Sequence, residues 1–98
     1  MKIKIMSVEF EVIENSPGGW HEGALGRASI TDSQILLREN LSETMKMQTL
    51  MHEIVHVIAD MNDLPRMDDA MVSGISNPLF DFIRQNPELV KRIAGIRT

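Results

Sequence analysis

Three features of the chain predict an α+β fold. Apolar and charged residues alternate near the amino terminus, apolar residues recur at helical spacing between about residues 42 and 61, and a second helical segment follows the break at Asn62-Asp63-Leu64-Pro65. The expected architecture is a small antiparallel sheet with the central helix packed on it. A second helix, kinked by Pro78, and a short carboxy-terminal helix complete it. Ninety-eight residues make one domain, spanning 1–98, and no internal repeat or low-complexity stretch divides it.

Residues 2–14 read as strand, with Ile3, Ile5, Val8, Phe10 and Val12 separated by Lys2, Lys4, Glu9 and Glu11. The alternation slips in phase at Met6-Ser7, which calls for a turn or bulge there, and two short strands in a hairpin satisfy the pattern equally well. Asn15-Ser16-Pro17-Gly18-Gly19 is a loop by composition. Ala24 to Ile30 and Gln34 to Arg38 are strands around a turn at Thr31-Asp32-Ser33, and the short connections imply antiparallel pairing.

The central helix is capped by Asn40 or Ser42. Asn40-x-x-Glu43 resembles a capping box, and Ser42 fits the later periodicity better. The helix runs to about Met61. Its stripe of Met47, Leu50, Met51, Ile54, Val55, Ile58 and Met61 should face the sheet. His52 and His56 fall roughly opposite that stripe, beside Met45, Thr49 and Ala59, while Lys46, Glu53 and Asp60 form a narrow charged sector. A covering element is needed over the histidines. The next helix, starting near Asp68 with Val72, Ile75, Leu79, Phe82 and Ile83 on one face, is the natural cover. Pro78 removes one backbone bond from it and directs a kink near Gly74. Asn86-Pro87-Glu88 then supplies an N-cap and a first-turn proline for a last helix to about Ala94.

Composition excludes several functions. The net charge is −4 and the ten Lys and Arg are scattered, so the chain lacks the basic patch of a nucleic-acid surface. Cysteine is absent, which rules out disulfides and thiolate metal sites and leaves only His and carboxylates as strong ligands. The amino terminus lacks the apolar core of a signal peptide, and no apolar run approaches the ~18 residues of a membrane span. A cytoplasmic protein without membrane or direct nucleic-acid contacts is expected. The eight methionines fall mostly on the core stripe, where thioethers fill gaps.

His52-Glu53-Ile54-Val55-His56 carries the chemistry. On a helix, imidazoles four residues apart lie one turn from each other and can converge on one ion. Glu53 sits next round the helix, placed to hold and deprotonate a metal-bound water. Without a metal, two adjacent buried imidazoles would each need a separate hydrogen-bond partner. A catalytic zinc takes three protein ligands and keeps a position for water, so a third ligand is required. Asp68 and Asp69 open the covering helix, and one of them can cap it while the other ligates. Helical phase puts Asp68 in line with Val72 and Ile75, but spacing leaves both open. His21 is a further candidate as a fourth ligand or substrate contact, and Asp60, one turn past His56, could orient that imidazole or remain a solvated charge.

Residues 41–62, centred on this motif, resemble the short zinc metallopeptidase-like proteins of phages and prophages, small relatives of the ImmA/IrrE peptidases. The likeness extends to the strand-rich amino terminus and to Val72-Ser73-Gly74-Ile75-Ser76-Asn77 and Phe82-Ile83-Arg84-Gln85-Asn86-Pro87. In that group an acidic residue stands three positions before the small or branched residue matched by Val72. The resemblance therefore favours Asp69 as third ligand, with Asp68 in reserve. Asp69 stands where the family typically has Glu, and Pro78 interrupts a helix that is usually smooth.

The resemblance implies a minimal zincin-like (gluzincin-like) fold, a Zn2+ cofactor, a host-cell cytoplasmic location and a protein or peptide substrate such as a repressor-like regulator. Zinc on His52, His56 and Asp69 with Glu53 as base describes a peptidase. The chain has no Tyr to stabilise a transition state, so His21, Arg27 or Arg38 would stand in. The alternative is a catalytically weak or inactive module of the same fold that uses the metal structurally, and a weaker third reading is a metal-free helical adaptor.

Overall fold

The computed structural model describes residues 1–15 and 23–96. Its elements run β1 (Lys2–Ile5), β2 (Val8–Glu14), β3 (Gly26–Ser29), β4 (Gln34–Leu37), α1 (Glu43–Met61), α2 (Asp69–Gln85) and α3 (Pro87–Ile93). The α+β class and the element order are those predicted. The phase slip at Met6-Ser7 is a two-residue hairpin turn. Ile5 pairs with Val8 across it, and both turn residues have positive φ, 50° and 71°, as the twist of a tight hairpin demands.

The sheet order is β1-β2-β4-β3. β1 pairs antiparallel with β2 and β3 antiparallel with β4, but β2 and β4 run parallel, so the sheet is mixed rather than wholly antiparallel. The chain between β2 and β3 leads to the far edge of the sheet, and β4 returns between the two. The β3–β4 turn does form at residues 30–33, with Ser33 N–H donating to the Ile30 carbonyl.

One face of the sheet buries Ile5, Phe10, Val12, Ile35 and Leu37 against Leu50 and Val57 of α1, with Met47, Ile54 and Met61 alongside. The sheet-facing stripe of α1 is therefore rotated from the predicted one: Val57 joins it and Ile58 stays exposed. Ser42 caps α1, its hydroxyl accepting from the Met45 N–H at 3.2 Å. Asn40 takes a positive φ of 65° in the preceding turn.

The second helix packs on α1 and α3 and not on the sheet, so α1 is the middle layer. Its buried face is Val72, Ser76 and Phe80, whereas Ile75, Leu79 and Phe82 are 40–48% exposed. The predicted apolar face thus points partly outward, because a polar row beside Val72 and Ser76 is turned toward the histidines. The helical state continues through Pro78 to Gln85. Asn86 occupies the N-cap position of α3, but its side-chain amide donates back to the Phe82 carbonyl at 2.9 Å. Among the described residues, no helix is long and apolar enough to cross a membrane.

Ser76 is fully buried, and its hydroxyl has no hydrogen-bond partner among the described residues. Ser76→Ala keeps the Cβ that packs and removes the unpaired group, so it is expected to stabilise the fold by about 1 kcal/mol. A thermal melt of the two proteins checks this.

Candidate metal centre

The α1 helix delivers two imidazoles to the side away from the sheet, and α2 crosses them antiparallel. His52 and His56 have ring centroids 4.8 Å apart at 70°, edge to face. The Asp69 Oδ1 atom lies 3.2 Å from His52 Nε2 and 2.9 Å from His56 Nε2. One carboxylate oxygen thus meets both imidazoles. Among the described residues, His52, His56 and Asp69 are the group that could hold a metal ion, with all ligand atoms within 4.8 Å of one another.

The donor set fits a divalent ion. Four ligands at about 2.0–2.1 Å in a tetrahedron leave roughly 3.3 Å between donor atoms, close to the nitrogen–oxygen separations here. Two neutral imidazoles and a carboxylate are also the ligand types zinc accepts when thiolates are absent.

The two candidate aspartates divide the tasks. Asp68 is the N-cap of α2, its Oδ1 accepting from the Met71 N–H at 2.8 Å. That commits Asp68 to the helix end and leaves the next residue, Asp69, to face α1. The paired imidazoles hold the Asp69 carboxyl below the usual carboxylate range, the His56 hydrogen bond being the largest cause.

Glu53, Lys46 and Asp60 share one charged sector of the helical wheel, but the three have different surroundings. Lys46 is half-buried and ion-paired with Glu14 and Glu43, and Asp60 is exposed. Glu53 is only 7% exposed, wedged between the histidine side of α1 and the edge strand β3. Gly26 makes this possible. A Cβ there would meet Thr49 Cγ2 at 2.8 Å and Glu53 Oε2 at 3.3 Å, so only glycine lets β3 approach so closely. Burial raises the Glu53 pKa, and the neighbouring His52 and His56 only partly offset it.

Two open clefts flank the triad, both walled by Gly26, Glu53 and Asp69. One, of about 360 Å³, reaches past His52 to Met45, Gln48 and Asn77. The other, of about 400 Å³, reaches past His56 to Arg27, Ala28 and Asp60. They lie along β3, the sheet edge. The Arg38 N–H bonds the Leu25 carbonyl, and antiparallel alternation from that pair turns the backbone groups of Arg27 and Ser29 to β4. The N–H and C=O groups of Gly26 and Ala28 therefore face outward.

Of the remaining candidates, Arg27 lines the His56-side cleft, while Arg38 Nε donates to the Ala24 carbonyl at 2.6 Å and steadies the approach to β3. Asp60 reaches the same cleft as Arg27. His21 lies outside the described residues. Sequence reasoning missed Ser73, whose Oγ is 3.2 Å from His52 Nδ1, and the Gln48–Asn77 hydrogen bond of 3.0 Å. The signal was a pair of four-residue spacings: His56, His52 and Gln48 on one helix against Asp69, Ser73 and Asn77 on the other.

The family model Peptidase_M78, described as the IrrE N-terminal-like domain, matches residues 5–74. That span holds β2, β3, β4, α1 and the start of α2, including Asp69 and Ser73, and only the last residue of β1. No curated protein and no solved structure gives a significant match.

The folded state binds the Glu53 proton more tightly than the unfolded chain, whose value is near the ordinary 4.5. Its effect on stability is most favourable below that value and is lost as pH rises through the raised folded value. In the metal-free protein, Glu53→Gln is expected to melt above wild type at pH 7, with the gap closing as pH falls toward 4.5. Melting curves across that range measure it.

Proposed function

The chain belongs to the Peptidase_M78 family of IrrE N-terminal-like domains, and from that membership we propose that it is a zinc-dependent peptidase, with His52, His56 and Asp69 holding the metal and Glu53 acting as general base. The observation that carries this reading is the meeting of one Asp69 oxygen with both imidazole Nε2 atoms, at 3.2 and 2.9 Å, beside a buried carboxylate.

Bound to these three side chains, zinc would supply Lewis acidity to polarise a peptide carbonyl and acidify water. The protein's own groups do the rest. Glu53 takes a proton from the attacking water and returns it to the departing amine. Burial serves that role, since a base works best when its pKa approaches the working pH. The outward-facing backbone groups of Gly26 and Ala28 can pair with a substrate in extended form, adding a strand at the sheet edge. Peptide side chains would alternate between the clefts and solvent. The shallow, open clefts suit an unfolded segment of a protein substrate, and a repressor-like regulator is such a substrate.

The division of labour gives a direct test. With untagged protein and a degenerate peptide library read by mass spectrometry, Glu53→Gln is expected to keep zinc and lose about 10²–10⁴-fold in cleavage rate. Asp69→Ala should lose the metal. Asp68→Ala should keep it and cost about 1 kcal/mol of stability through the lost helix cap. Wild-type cleavage by Glu53→Gln would overturn the mechanism. Stoichiometric zinc without any cleavage by wild type would favour a structural metal in a binding module.

A further inference from the structure

Both ring nitrogens of His52 have partners. Nε2 faces Asp69 Oδ1 at 3.2 Å and Nδ1 faces Ser73 Oγ at 3.2 Å. A neutral imidazole carries one N–H, so each contact constrains the other. In the metal-free protein the Asp69 carboxylate can only accept, so the proton belongs on His52 Nε2. Nδ1 is then a bare lone pair, and Ser73 O–H must donate to it. A metal on Nε2 needs that lone pair, which moves the proton to Nδ1 and makes Ser73 Oγ the acceptor.

A hydroxyl can satisfy both arrangements, because it donates or accepts by rotating its proton. A carboxylate or carbonyl at this place would serve only the loaded form, and an ammonium only the empty one. We propose that Ser73 is a positioning residue for the metal site, holding the His52 ring in one orientation while its tautomer changes from Nε2–H to Nδ1–H on metal capture. No net proton is gained or lost by His52 in this step. The exchange is between its two nitrogens, through solvent.

The placement of Ser73 is fixed by the helix pair itself. Asp69, Ser73 and Asn77 form a row at four-residue spacing on α2. They meet His56 and His52, His52, and Gln48 in turn along antiparallel α1. Ser73 is half-buried in the middle of this row. Sliding α2 by one turn would break all three rungs together. The row therefore sets the register that brings Asp69 to the histidines, and Ser73 adds the orientation of one ring.

The inference rests on the metal reading above for its loaded form, and the experiment separates the two. Zinc affinity is measured by chelator competition for wild type, Ser73→Ala and Ser73→Thr. Ser73→Ala is expected to bind zinc about 10–100-fold more weakly, as loss of a ligand's hydrogen-bond partner does elsewhere. Ser73→Thr, which keeps the hydroxyl, should restore most of the affinity. Imidazole ¹⁵N shifts recorded at pH 8 supply the second arm, and its metal-free half needs no zinc. Metal-free wild type should show His52 as the Nε2–H form, zinc should convert it to Nδ1–H, and Ser73→Ala should shift Nδ1 of His52 while leaving His56 unchanged. Equal zinc affinity in wild type and Ser73→Ala would overturn the proposal, as would a His52 Nδ1 signal indifferent to Ser73. Absence of zinc binding by wild type would sink the peptidase reading, and the metal-free shifts would still decide whether Ser73 holds the ring.

Discussion

The antiparallel seam between α1 and α2 is the contact on which the site depends. α1 is anchored on its other side by the sheet, through Leu50, Val57 and their neighbours. α2 touches no strand and is held by α1 and α3. Its position is set by the buried row of Val72, Ser76 and Phe80 and the adjacent polar row of Asp69, Ser73 and Asn77. Val72 and Phe80 of the buried row supply adhesion, which is non-directional, and the polar row adds register, which hydrogen-bond geometry makes specific. Without that row the register of α2 would rest on the packing of Val72, Ser76 and Phe80 alone.

A second constraint comes from β3. The edge strand is drawn against α1 at Gly26, and the closeness of that approach is what buries Glu53. A carboxylate in that wedge has an elevated proton affinity because water is excluded from it. Strand and helix together thus set a buried carboxylate beside the imidazoles, and among the described residues no strand pairs with the outer edge of β3. The same residues bound the clefts, which share Gly26, Glu53 and Asp69 in their walls.

Much of this was legible in the amino-acid order. The His-Glu-x-x-His spacing, the Ser42 cap and the length of α1 follow from local rules, because a helix of 19 residues writes its period many times over. The hairpin at Met6-Ser7 showed as a phase slip. What was not legible depended on distant partners. The parallel pairing of β2 with β4 depends on β3 taking the far edge of the sheet, which no local pattern records. The buried face of α2 is hidden in the sequence because Ile75, Leu79 and Phe82 outweigh Val72, Ser76 and Phe80 in hydrophobicity, while the seam takes the face that also brings Asp69 and Ser73 to the histidines. Asp68 and Asp69 were indistinguishable by spacing, and the cap hydrogen bond separated them. Burial of Glu53 was hidden because it requires a glycine nearly thirty residues earlier in the chain.

Peptidase chemistry here requires two imidazoles and one carboxylate to share a single ion. X-ray absorption of the zinc-loaded, untagged protein tests it most directly. It should show one zinc per chain with a shell of nitrogen and oxygen ligands at about 2.0–2.1 Å and the outer-shell scattering of two imidazoles. A protein that takes up no stoichiometric zinc, or a spectrum with one imidazole or none, would contradict it.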